Sequence, residues 1–122
     1  MKHIMLFMLL LSLCNCKKEK GMVFNIEGPS KEITPLIIIS EDSNFVKSIT
    51  GWNDIAYDDY LGITSNDTVW LRDNDISIIS HEMFHLTINT LQYMGIYLSD
   101  STEEVYAYQL DSYVEQVNKH VK

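Results

Sequence analysis

The stretch Asp75-Ile76-Ser77-Ile78-Ile79-Ser80-His81-Glu82-Met83-Phe84-His85-Leu86 decides how the rest of this chain is read. Ile76, Ile79, Met83 and Leu86 recur at the three- and four-residue spacing of a helix with one packed face. Asn74 and Asp75 stand just before it, with side chains that cap free backbone N–H groups. Gly95 is placed to end it, so a helix is expected from about Asp75 to Met94. On that helix His81 and His85 are four apart, hence on one face with their rings projecting the same way. The spacing lets two neutral imidazoles share one Zn2+ at about 2.0–2.1 Å each. Glu82 follows His81, about 100° further round the helix, and can reach a water on the ion without displacing it. Two histidines leave room for one more protein ligand and an open position.

Working toward the C-terminus, a second helix is expected to start at Ser99–Thr102 and run to about Val117, with Val105, Tyr108, Tyr113 and Val117 as candidate core positions. Nineteen positions separate His85 from Glu104, enough to finish one helix, turn, and return antiparallel. The third ligand is expected from this second helix. Glu104 is preferred because Val105 and Tyr108 read as inward-facing companions. Ser101 and Glu104 also fit a capping box, in which case Glu103 is the ligand. Tyr108 is one turn beyond Glu104 and can donate to a developing oxyanion, or serve as a core tyrosine with a satisfied hydroxyl. Asp111 can orient a ligand histidine through its outer nitrogen, or sit in solvent.

Toward the N-terminus the elements are shorter. Met22 to Ile26 is an apolar run ended by the turn chemistry of Glu27-Gly28-Pro29-Ser30. Leu36 to Ile39 reads as a buried strand, and Thr68 to Arg72 as another after the turn-prone Ser65-Asn66-Asp67. Glu41 to Ile49 reads as a short helix ended by Gly51. Trp52 to Gly62 reads as an acidic, aromatic loop or irregular strand in which Asp54, Asp58 and Asp59 are solvated, since no calcium-loop spacing links them. The expected class is α+β, a sheet of about three strands followed by two antiparallel helices packed on one face. Thr68 to Arg72, taken as an edge strand, can pair with an extended peptide.

Residues 70 to 117 resemble the zincin metallopeptidases of the glutamate-ligand group. They resemble more closely small uncharacterised phage and bacterial proteins with a His-Glu-x-x-His helix, a Gly-containing turn and a Glu-x-x-Ala-Tyr helix. The matching residues are His81 to His85, Gly95, and Glu104 to Tyr108. The resemblance implies a zincin-like minimal domain with His81, His85 and Glu104 holding zinc and Glu82 as general base. A peptide or protein would be the substrate. Larger members carry a further domain forming the far wall of the substrate cleft, for which these 122 residues contain no counterpart.

The beginning of the chain points to export. Lys2 precedes an apolar run from Ile4 to Leu13, too short to cross a hydrocarbon core of about 30 Å as a helix. Leu13-Cys14-Asn15-Cys16 resembles a bacterial lipoprotein signal in which Leu stands three before an acylated cysteine. That makes Cys16 the expected lipidation site, with Cys14 the poorer match and a plain signal peptide the alternative. The domain organisation expected is residues 1–16 as signal, 17–21 as tether and 22–122 as the folded domain, held to a membrane by the lipid anchor. No cysteine follows Cys16, so the body has neither disulfide nor thiolate ligand. Nine Lys or Arg against seventeen Asp or Glu, a net charge of −8, disfavours nucleic acid, which needs a clustered basic face. The 46% hydrophobic content excludes a disordered chain.

Overall fold

The β-branched run Leu36–Ile39 forms the strand on which the rest of the molecule is laid. A computed structural model describes residues 20–122. The apolar leader, Cys14, Cys16 and residues 17–19 of the expected tether lie outside the described residues. Four strands are present, β1 (Met22–Asn25), β2 (Leu36–Ile39), β3 (Gly62–Ser65) and β4 (Thr68–Leu71), in the spatial order β1-β2-β4-β3. The central pair β2–β4 is parallel, with Ile37 opposite Val69 and Ile38 opposite Trp70; both outer pairings are antiparallel. Among the described residues three α-helices complete the α+β fold: α1 (Ser43–Thr50), α2 (Ile76–Tyr93) and α3 (Glu103–Val121).

Because side chains alternate along a strand, the sheet feeds two cores. Ile37, Val69 and Leu71 meet Ile79, Met83 and Leu86 of α2 and Tyr113 and Val117 of α3. Ile38 and Trp70 point the other way, onto Val46 of α1 and Tyr57. Both faces are therefore covered, rather than the single face expected from the sequence. Trp70 closes the second core by donating its indole N–H to the Ser40 carbonyl at 2.9 Å and meeting the Tyr57 ring edge-on at 5.1 Å.

Local chemistry sets the helix ends. Asp42 caps α1 by accepting from the Asn44 and Phe45 N–H groups, and Gly51 ends it at φ 74, a conformation that favours glycine. The Asp75 carboxylate caps α2 by accepting from the Ser77 hydroxyl and, at 2.8 Å, from the Ser77 N–H. Those hydrogen bonds from Ser77 hold its carboxyl below the usual carboxylate range. At the other end Gly95 (φ 80) donates to Gln92 and Ile96 donates to Leu91, a Schellman turn. Tyr106 fastens that turn from α3 by donating to the Ile96 carbonyl at 2.6 Å.

Two corrections concern which residues face inward. Ile76, expected in the core, is exposed in the first turn of α2. On α3 the buried stripe is Tyr106, Tyr113 and Val117, while Val105 and Tyr108 are 44% and 71% exposed. Tyr113 shares a hydrogen bond of 2.8 Å with Thr90, and burial pushes its hydroxyl up to about 12. The fold also begins before β1. Ser40 donates to the Lys20 carbonyl, and Gly21 lies so close to Ile39 and Ser40 that a Cβ there would collide with both. Lys20 and Gly21, expected as the end of a tether, are docked on the sheet.

Candidate metal centre

Residues on opposite sides of α2 have opposite duties. Ile79, Met83 and Leu86 are buried against the sheet, and at about 1.5–3 kcal/mol per apolar side chain they hold the helix in place. His81 and His85 lie on the outer side, both exposed, with their Nε2 atoms 3.2 Å apart. Two nitrogens at about 2.0–2.1 Å from a tetrahedral ion stand about 3.3 Å apart, so the pair already has the bite of one zinc. Without an ion the same contact is a hydrogen bond between unlike tautomers.

Glu82 completes the cluster. Among the described residues, His81, Glu82 and His85 are the group of three metal-ligating side chains whose ligand atoms all lie within 4.8 Å of one another. These residues can hold a metal ion. Unlike the histidines, Glu82 is only 4% exposed. Thr64 on β3 explains how a carboxylate tolerates that burial: its hydroxyl lies 3.1 Å from Glu82 Oε1 and 3.2 Å from the Glu82 carbonyl oxygen. A single hydroxyl proton is shared between those acceptors. Gly62 supplies the space, since a Cβ there would lie 2.8 Å from Glu82 Cγ and 2.9 Å from the Trp70 carbonyl oxygen. Strand β3 was not expected from the sequence, and it is the element that seats the carboxylate. The two-residue Asn66-Asp67 turn, with Asn66 at φ 53, was the signal that could have found it.

A cleft of about 440 Å³ runs beside the cluster, between Asp59, Tyr60, Leu61 and Gly62 on one side and Ser77, Ile78, His81 and Glu82 of α2 on the other. A second hollow of about 340 Å³, lined by Glu32, Asp67, Thr90 and Tyr93 among others, contains no histidine and lies apart from this chemistry.

Neither Glu103 nor Glu104 joins the cluster. Both are exposed in the first turn of α3. The physical reason is which flank of α2 faces α3. Tyr113 of α3 bonds Thr90, and Ser80 shares a groove with Leu110, Asp111 and Val114. Thr90 is five residues past His85, about 140° round the helix, so α3 packs on the flank away from the imidazoles. The preference for Glu104 rested on Val105 and Tyr108 facing inward, and both face solvent. Tyr108 has no hydroxyl partner among the described residues and does not line the cleft. Asp111 lies in the groove beside Ser80. His120 stacks on Phe24 at 4.0 Å, on the β1 side of the molecule.

Compared with known proteins, the chain matches no family model, no curated protein and no solved structure.

Proposed function

We propose that this chain is a small zinc-dependent metallopeptidase of the zincin type, with His81 and His85 as ligands and Glu82 as general base. The observation that carries the reading is the 3.2 Å separation of two exposed Nε2 atoms with a buried, hydrogen-bonded carboxylate in the same cluster. Zinc, when bound, supplies a Lewis acid that polarises a peptide carbonyl. Thr64 occupies Glu82 Oε1, which leaves Oε2 to take a proton from the attacking water and return it to the leaving amine. Thr68–Leu71 does not serve as the peptide-binding edge, because β4 is enclosed between β2 and β3. Strand β3 is the sheet edge beside the cleft, and an extended substrate pairs there through backbone hydrogen bonds. The placement follows from β3 carrying both Gly62 and Thr64, the two residues that seat Glu82.

We further propose export, with an acyl anchor on Cys16. Among the described residues no helix is long and apolar enough to cross a membrane.

The glutamate ligand implied by the zincin resemblance does not carry over. Glu104→Ala is expected to leave zinc affinity unchanged by competition titration, whereas loss even of a residue supporting a ligand costs about tenfold or more. A fall of that size would restore Glu104 to the ligand set.

Two observations favour a second reading, a binding protein with a vestigial metal site: among the described residues α3 brings no ligand to the cluster, and Phe84, Tyr97, Leu98 and Tyr108 are exposed. Chelation separates the readings. The core beneath the histidines is filled without a metal, so removing zinc is expected to abolish cleavage of an internally quenched peptide while far-UV circular dichroism and the melting temperature stay nearly unchanged. Cleavage that survives chelation rejects the metallopeptidase reading, and loss of fold on chelation makes the zinc structural.

A further inference from the structure

The wall of the cleft opposite α2 is a turn held by one arginine. Residues Tyr57–Asp59 form a 3-10 turn, with Asp59 N–H donating to the Ala56 carbonyl at 2.9 Å. Arg72, at the end of β4, donates through its side chain to the carbonyls of Tyr57 and Tyr60, and through its backbone N–H to that of Leu61 at 2.9 Å. The guanidinium is thus engaged by backbone oxygens. Among the described residues the ion pair present is Lys119–Glu115, on α3, so the turn's carboxylates carry no salt bridge. Lys47 lies over the ring of Tyr57, which belongs to the core on the far face of the sheet.

The fastened turn therefore brings Asp59 and Tyr60 to the cleft, whereas Leu61, paired with Arg72, turns its side chain to the face of Ile63 and Trp70. Asp59 is exposed, with no hydrogen bond to its carboxylate among the described residues. Tyr60 is 51% exposed. The opposite wall brings no lysine or arginine to Asp59: from Asp73 to Asn118 the sequence contains neither. Asp59 also lies outside the metal-ligating cluster, so its charge is not committed to an ion. A carboxylate beside an aromatic ring matches a ligand with an apolar stem and a cationic head.

We propose that Asp59 and Tyr60 form a subsite for a lysine or arginine side chain, which makes basic peptides the preferred substrates of the cleft. Asp59 pairs with the charge, and the Tyr60 ring covers the stem. The substrate assignment rests on the hydrolase reading; the subsite itself does not, because it needs only the cleft.

The test measures binding, so that it stands whether or not the protein cleaves. A blocked, fluorescently labelled hexapeptide with a central arginine is titrated against the Glu82→Gln protein, alongside the same peptide with citrulline, which keeps the shape and removes the charge. The titrations are done with saturating zinc and again after chelation. The arginine peptide is expected to bind about twofold to fivefold tighter, the range of an exposed charge pair, with the difference shrinking as salt is raised. Asp59→Asn is expected to erase the discrimination, and Asp54→Asn, outside the cleft, to leave it. Discrimination with or without zinc supports the subsite even if the parent protein proves to have no hydrolytic activity. Equal affinity for the two peptides, no saturable binding of the arginine peptide, or discrimination that survives Asp59→Asn overturns it.

Discussion

His85→Ala is expected to eliminate stoichiometric zinc binding while the protein stays folded. The side chain is exposed, and the buried neighbours Met83 and Leu86 carry the helix's attachment to the sheet, so truncation removes a ligand without opening a cavity. With two histidines providing the bite, loss of one leaves a single imidazole near Glu82. Affinity should fall by at least about a hundredfold, since even residues that only orient a ligand cost up to that much. Metal analysis of the purified protein after dialysis reads the outcome directly. His120→Ala is the control, because His120 stacks on Phe24 away from the cluster and accounts for none of the binding. One zinc per chain in His85→Ala would remove the metal centre from this helix face.

Glu82→Gln is expected to keep the metal and lose the chemistry. The substitution preserves shape, and the amide oxygen can still accept from Thr64, so the seat on β3 is retained. What disappears is a group able to take up a proton. General-base contributions of about 10²–10⁴ in rate set the scale of the expected fall in kcat. Measuring zinc content and peptide cleavage on the same sample separates two roles that the compact cluster allows. If zinc is lost together with activity, Glu82 is a ligand and the proton acceptor lies elsewhere. If both are retained, the mechanism is wrong.

Legibility differed sharply between the two long helices. The limits of α2 could be read closely because each end is written in local chemistry, Asp75 at the start and Gly95 past the end. Its histidine face followed from spacing alone. The phase of α3 could not be read the same way, because Val105, Tyr106, Tyr108 and Tyr113 offer competing apolar stripes. A tyrosine can bury its ring or hold its hydroxyl in water with similar ease. Tyr106 and Tyr113 won because each finds a hydrogen-bond partner inside, the Ile96 carbonyl and Thr90. Strand β3 was hidden for another reason. Gly62-Ile63-Thr64-Ser65 has little apolar content of its own and becomes a strand through its pairing with β4. Asp59 read as one of several solvated acids, and only the arginine-held turn brings it to the cleft.

The docking of Lys20 on the sheet sets a working radius for the site. Lys20 and Gly21 share a hollow with Asn74, immediately ahead of α2, and with Val121 at the far end of α3. His81 is five residues into α2, only about 7–8 Å along its axis. If Cys16 carries the acyl anchor proposed above, only four positions of sequence separate it from the docked Lys20. The proposed metal centre would then work close to a bilayer surface, with chains emerging from that surface within its reach.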